Sequence, residues 1–288
     1  MCTMTSGVSF LVCTHNGAVR LASSLRALAR QAGAVDIAWE VVLVDNASTD
    51  DTTRIAAAGW ERAGNVAPLQ LLREPRPGKN FALARAFEQA RYCYACIVDD
   101  DNCLDPHYLA TGYALLAADT QALAVFSDAV LIDGTGGELP GSLWARWGFT
   151  RERQAQWLDN DLAFADLLAN RNVITGATLA FRKELLPFLI PFELPAVYWH
   201  DAWVGLVAAA RGGLRFLPAP TIRYRIHSQQ QAGTLSGASD RKFVPVSPGY
   251  FLKKVARLFP EKRSIVYRDS PSLSRRVANK LLRIGRSR

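Results

Sequence analysis

At 288 residues, 49% hydrophobic and 21% charged, the chain can bury a sizeable core, which excludes a disordered or low-complexity protein. No apolar run approaches the ~18 residues a bilayer span needs, and the N-terminus lacks a basic segment leading into an apolar core, so a cytoplasmic location is expected. The net charge of +8 is unevenly held: residues 241–288 carry 14 Lys+Arg against Glu261 and Asp269, a local +12 that leaves −4 for residues 1–240. The five cysteines (Cys2, Cys13, Cys93, Cys96, Cys103) are odd in number and scattered. Cys93-Tyr-Ala-Cys96 runs into an apolar stretch and has no second pair, so the thiols read as reduced and buried.

Residues 8–132 alternate short apolar runs with helical periodicity. Strands are predicted over 8–13, 41–44, 69–72, 95–98 and 122–126, and helices over 18–31, 52–62 and 81–91. Strand–helix alternation implies parallel pairing through right-handed crossovers, hence a doubly wound α/β sheet with helices on both faces. Ligands of such sheets bind at the carboxyl ends of the strands. Thr14-His15-Asn16, Asp45-Asn46, Arg73-Glu74 and Asp99–Asp101 should therefore converge on one crevice.

Asp99-Asp100-Asp101 follows the apolar run Tyr94–Val98 directly. Three carboxylates at a strand end are costly unless compensated, and a hard divalent cation that keeps substrate phosphates in its shell compensates them best. A solvated acidic turn is the alternative. In Val41–Asp50, the residues Ser48, Thr49 and Asp50 read as N-caps. Asp45 leaves the strand before them and is placed to accept hydrogen bonds from a nucleobase or a ribose. Gly78-Lys79, at the start of the helix that bears Arg85, has the form of a phosphate contact, though a Pro-Gly turn with a solvated Lys fits as well.

Residues 133–170 are rich in Gly, charge and tryptophan (Trp144, Trp147, Trp157). A strand is predicted over 177–181, then a Pro-rich stretch, then a helix over 202–211 stopped by Gly212-Gly213. The predicted division is a domain over 1–235, with a donor half to about 132 and an acceptor half over 133–235, followed by a basic amphipathic extension over 236–288.

The ordered motifs Cys13-Thr14-His15-Asn16, Val44–Asp50, Gly78-Lys79, Asp99-x-Asp101 with Pro106, Thr175-Gly176-Ala177, Trp199-His200-Asp201 and Tyr224-Arg225-Ile226-His227 together resemble family 2 glycosyltransferases of the GT-A fold, of the rhamnosyltransferase-like, polysaccharide-biosynthesis kind. Departures from the common pattern are Asn102 where an acid is frequent, His200 where Glu is frequent, and Gln231 for a closing Asn.

The resemblance implies an inverting transfer from a nucleotide-diphosphate sugar to a hydroxyl of a carbohydrate or lipid-linked acceptor, with Mn2+ or Mg2+ as cofactor. It implies Thr14, Asn16, Asp45, Gly78, Lys79, Arg85, Asp99 and Asp100 on the donor side, with Thr14 and Asp45 at the base and Asp99 at the ribose. Asp101 would ligate the metal, with His227 as a further metal or phosphate ligand. Gly176, Trp199, His200 and Trp203 would face the acceptor, and Asp201 would be the general base. Of the three acids, Asp100 is expected to be dispensable.

Trp199 and Trp203 beside Asp201 are expected either to stack on sugar or to pack in the core, and to raise the Asp201 pKa by desolvation. A DxD phosphohydrolase is disfavoured by Cys103, since that chemistry wants Thr or Val two residues after the second acid. A nucleotidyltransferase would need a Gly-rich loop after the first strand. An inactive glycan-binding or scaffold protein is the non-enzymatic alternative. In the tail, Leu273, Val277, Leu281 and Ile284 share a helical face with basic residues elsewhere. That pattern suits peripheral attachment to the anionic inner face of the cytoplasmic membrane, or packing on the domain. No nucleic-acid reading motif accompanies the charge.

Overall fold

The structure is a computed structural model that describes residues 5–31, 36–194, 199–226 and 247–268. The first half runs β1 (Thr5–Thr14), α1 (Leu21–Ala29), β2 (Trp39–Asn46), α2 (Thr52–Arg62), β3 (Leu69–Glu74), α3 (Lys79–Gln89), β4 (Tyr92–Asp99), β5 (Cys103–Leu104), α4 (Tyr108–Ala118) and β6 (Ala124–Ile132). The second half runs β7 (Glu138–Ser142), α5 (Leu143–Trp147), α6 (Arg151–Trp157), α7 (Asn160–Leu168), β8 (Leu179–Arg182), α8 (Leu186–Leu189), α9 (His200–Ala210) and β9 (Leu214–Arg225). Two short helices close the described chain, α10 (Pro248–Leu258) and α11 (Arg263–Arg268).

Among the described residues, nine strands form one sheet in the order β3-β2-β1-β4-β8-β6-β9-β5, with β7 paired to β6. The β3-β2-β1-β4 part is parallel, as the strand–helix alternation predicts. β8 then lies antiparallel between β4 and β6, so the sheet is not parallel throughout. The pleat sends alternate residues to opposite faces. Val8, Phe10 and Val12 of β1, with Val41 and Leu43 of β2 and Tyr94, Cys96 and Val98 of β4, pack with α1, α2 and α4. Leu11, Val42, Val44, Ala95 and Ile97 point the other way, into a core shared with α3, α7 and α9. Both faces are covered, which explains why these strands read as continuous apolar runs rather than alternating ones. The architecture is the α/β sheet with helices on both faces that the sequence predicts, parallel through its first half.

Two parts were not resolved by periodicity. Residues 143–168 form three helices whose Trp144 and Trp157, with Phe149, enclose Phe126 of β6 in an aromatic cluster with ring centroids 4.8–6.0 Å apart. β9 contains Pro218 and Pro220, which mask its strand character. The prolines sit on an exposed stretch where the β6–β9 register breaks, between Leu217 and Ile222, so no ladder donor is missed there. Residues 247–258 also pack inward. Phe251, Val255 and Phe259 are fully buried and belong to the same core as α9, with the Phe251 ring 5.7 Å from that of Trp203. The apolar set at 273–284 lies outside the described residues.

Candidate active site

The last residues of the parallel strands meet at one edge of the sheet, where Cys13 pairs with Asp99, Thr14 with Asp45, and Asn46 with Glu74. The loops beyond them are tied together. Asn16, in the left-handed region at φ 48, accepts the Thr49 N–H at 2.9 Å through its side chain, while its own N–H donates to Ser48 Oγ at 2.9 Å. Ser48 and Thr49 are therefore loop braces and not N-caps. Asp50 alone acts at the start of α2, accepting the Thr52 N–H at 3.1 Å. Asp45 is buried and accepts from the Ser48 N–H at 3.0 Å and from Thr53 Oγ1 at 3.3 Å. Asn46 reaches the other way, accepting the Gly78 N–H at 2.7 Å and donating to the Glu74 and Arg76 carbonyls. Gly78, at φ +131, uses a backbone conformation that L side chains rarely adopt to turn the chain into α3. Arg85 is exposed on α3 and paired with Glu88.

The three acids have different partners. Asp99 Oδ1 forms an ion pair with the Lys79 ammonium, and its Oδ2 accepts from Asn102 Nδ2 at 3.4 Å. Asp100 accepts from the Thr14 hydroxyl at 2.6 Å and from Arg20 at 3.3 Å. Asp100, expected to be the dispensable member of the three, links the acidic loop to β1 and to Arg20 ahead of α1. A Cβ on Gly17 would lie 2.0 Å from Thr14 Oγ1 and 2.7 Å from Asp100 Oδ2, so the contact depends on that glycine. The Asp101 carbonyl accepts from Arg225 Nε at 3.1 Å, and Arg225 also donates to the Asp133 and Gly134 carbonyls. Asn102 is buried and accepts the Arg225 N–H at 3.0 Å, which ties the end of β9 to the acids. His227 lies outside the described residues.

Asp201 stands in the first turn of α9. Its Oδ1 accepts from Asn172 Nδ2 at 3.2 Å and from the Ala202 N–H at 2.6 Å. Burial pushes its pKa up to about 6, against the lowering effects of the Ala202 N–H and the Lys79 charge. His200 beside it is buried, with neither ring nitrogen hydrogen-bonded among the described residues. Burial first, and then the Lys79 charge, hold that imidazole neutral. A Cβ on Gly176 would come 2.8 Å from His200 Nε2, so the 3₁₀ turn Gly176–Thr178 packs directly on the histidine. Trp199 is half-buried ahead of α9. Trp203 departs from the acceptor-facing expectation: it is 0% exposed, donates to the Leu189 carbonyl at 3.2 Å, and packs on Phe251. Asp201 and Trp203 are two residues apart in α9, roughly 200° around a helix of 3.6 residues per turn, so the two side chains leave it in different directions, one to the crevice and one to the core.

Lys79 joins the two halves of the site. Burial works against its charge, but the Asp99 charge and hydrogen bond outweigh burial and hold it charged, with Cys13 and Asp101 adding to the effect. Its charge also acts on Asp201 and His200, so the acidic strand end and the start of α9 share one electrostatic neighbourhood. Among the described residues, no three His, Cys, Asp or Glu side chains are grouped to hold a metal by themselves. The donor set fits instead a hard cation held by one or two carboxylates and completed by substrate phosphates. In this structure the Lys79 ammonium supplies the positive charge beside Asp99.

The family model described as glycosyl transferase family 2 matches residues 9–175, more than half of the chain. The chain belongs to that family. No curated protein matches the chain. Among solved structures, the family 2 chain is similar to the mannosyltransferase PcManGT from Pyrobaculum calidifontis in complex with GDP-Man and Mn2+, at 22% identity and a TM-score of 0.59, covering 99% of this chain and 77% of that one. It is also similar to S. aureus TarS 1-349 in complex with UDP-GlcNAc, at 18% identity and a TM-score of 0.59, covering 95% and 72%. Other TarS structures are covered over 60% and 39% of their length. At these identities the likeness establishes the GT-A fold. Gly17, Arg20 and Asn172 are the site residues that sequence reasoning missed, each acting through a neighbour in space with no motif of its own, while Asn102 and Arg225 were named in the sequence without the roles they have here.

Proposed function

We propose that this family 2 protein is an inverting glycosyltransferase that moves a sugar from a nucleotide-diphosphate sugar to a hydroxyl of a carbohydrate or lipid-linked acceptor in surface-glycan synthesis. The observation that carries this reading is Lys79, which neutralises Asp99 while its charge reaches Asp201. A site for a diphosphate and a site for a base are thereby adjacent. The nucleotide sugars named with PcManGT and TarS support the donor class.

In this scheme the base and ribose lie along Thr14, Asp45 and Asp99. The loop that presents them is held by Asn16 and Asp100, and its far edge by Gly78 and Lys79. Asp99 and Asp101, with His227 as a further candidate, would hold Mn2+ or Mg2+. The ion would supply neutralisation of the charge that develops on the leaving diphosphate. Asp201, with its lone pairs oriented by Asn172 and Ala202, takes the proton of the acceptor hydroxyl as that oxygen attacks the anomeric carbon. Attack opposite the departing diphosphate inverts the configuration. His200, Gly176 and Trp199 form the wall next to the base. The membrane part of the proposal rests on residues 269–288, which carry six Lys+Arg against Asp269.

The test is a panel of nucleotide sugars followed by thermal shift with and without Mn2+. A donor that raises the melting temperature only with metal, and fails to do so in Asp101→Ala, supports the reading. Equal, metal-independent stabilisation by every nucleotide overturns it.

A further inference from the structure

We infer that Lys79 is a built-in counter-cation, seated on Asp99 in the donor-free protein and displaced onto the donor diphosphate when the divalent ion arrives with it. The inference rests on the donor site proposed above and adds an order to its filling.

The backbone at Lys79 is fixed. It is the first residue of α3, preceded by Gly78, whose N–H is held by Asn46 Oδ1 at 2.7 Å. The side chain is a flexible four-carbon stem with a point charge at its end, free to change partner without moving the helix. That charge rests on Asp99 Oδ1, with the two side chains 26% and 21% exposed. The neighbouring cations are committed elsewhere: Arg20 to Asp100, and Arg225 to the Asp101, Asp133 and Gly134 carbonyls. Among the described residues, Lys79 is the cation seen paired with Asp99. A divalent ion entering the same cluster meets a like charge a few ångströms away in a partly desolvated setting, where repulsion is poorly screened. A nucleoside diphosphate removes this conflict because its oxygens accept both the ion and the displaced ammonium.

The consequence is mutual dependence. Metal binds weakly to the protein alone and tightly with nucleotide, and by linkage each strengthens the other by the same factor. Removing the ammonium should separate the two effects: it frees the acids for metal but deprives the diphosphate of a partner. Charge with a different shape, as in Lys79→Arg, should keep the wild-type order.

The experiment measures Mn2+ binding to the full chain by electron paramagnetic resonance, with and without UDP or GDP, for wild type, Lys79→Met, Lys79→Gln, Lys79→Arg and Asp101→Ala. Without nucleotide, Lys79→Met and Lys79→Gln are expected to bind Mn2+ at least about tenfold more tightly than wild type. With the nucleoside diphosphate that gain shrinks or reverses, because nucleotide affinity falls. Lys79→Arg follows wild type. Unchanged or weaker Mn2+ binding in both neutral variants overturns the inference even if Asp101→Ala abolishes metal binding. Mn2+ binding that survives Asp101→Ala instead removes the metal assignment on which the inference stands.

Discussion

The Thr14 hydroxyl donates a 2.6 Å hydrogen bond to Asp100 across a sequence separation of 86 residues. It joins the end of β1 to the loop after β4, and it explains how three consecutive acids are tolerated. Thr14 and Arg20 hold Asp100, Lys79 neutralises Asp99, and Arg225 fixes the backbone at Asp101. The middle acid organises the loop so that its neighbours face the crevice.

Gly17→Ala is expected to break that bond. The added methyl would stand 2.0 Å from Thr14 Oγ1, an atom of a buried side chain that has little room to retreat. A cost of about 1–3 kcal/mol follows from overpacking, together with weaker nucleotide-sugar binding because the acidic loop shifts. Gly249→Ala, with no atom within 4 Å of its new methyl, is the control. Equal melting temperatures and equal nucleotide affinities for the two variants would contradict this account of the loop.

Asp201→Asn should lose activity and gain stability. Activity is expected to fall about 10²–10⁴-fold, as for loss of a general base. The carboxyl pKa is raised from 3.8 to about 6 by burial, so the folded chain binds this proton more tightly than the unfolded chain does. The stabilisation from the protonated form is complete below pH 3.8 and is lost as pH rises through about 6. At pH 8 the buried charge is a net cost, at most roughly 3 kcal/mol for a two-unit shift, and less for a group that keeps some solvent. The amide oxygen can still accept from Asn172 and Ala202. Denaturant melts at pH 8 should show Asp201→Asn more stable by about 1–3 kcal/mol, and a less stable variant would contradict the burial argument.

The same carboxyl sets the acid side of the pH–rate profile. A base is useful only when ionised, so kcat/KM should fall tenfold per pH unit below about 6. The residual rate of Asp201→Asn should be flat over that range. A wild-type limb near pH 4 would mean that the base is ordinary in the free protein, or is another group.

How much of this could be read beforehand depends on whether a residue's role is local. The parallel strands, their acid-tipped ends and the start of α9 follow from apolar runs and motif spacing, and α2 was predicted at its observed bounds, Thr52–Arg62. β9 was missed because Pro218 and Pro220 forbid an unbroken ladder, and only the pairing with β6 reveals how the break is accommodated. For Trp203 the sequence leaves sugar stacking and core packing open; burial and packing on Phe251, 48 positions away, decide for the core. The contacts of Asp100 were not legible for the same reason, since its partners Thr14 and Arg20 come from the end of β1 and the residue before α1.

Phe251→Ala tests whether the basic C-terminal region begins as part of the domain. Its ring is 1% exposed and packs on Trp203, with Val255 and Phe259 buried alongside. Truncating a buried phenylalanine costs about 3–5 kcal/mol, whereas Lys253→Ala, on the exposed side of α10, should stay within about 0.5 kcal/mol of wild type. This difference also decides where the chain can be cut. Removing everything after residue 240 strips α10 from the core and uncovers Trp203, so lost vesicle binding in that fragment would report a damaged domain. Cutting after residue 268 retains α10 and α11 and removes only the last basic stretch. If that stretch contacts membrane, the shorter cut should abolish flotation with anionic vesicles while leaving the melting temperature unchanged. If Phe251→Ala is as mild as Lys253→Ala, then α10 does not belong to the core, and the reasoning that selects residue 268 fails with it.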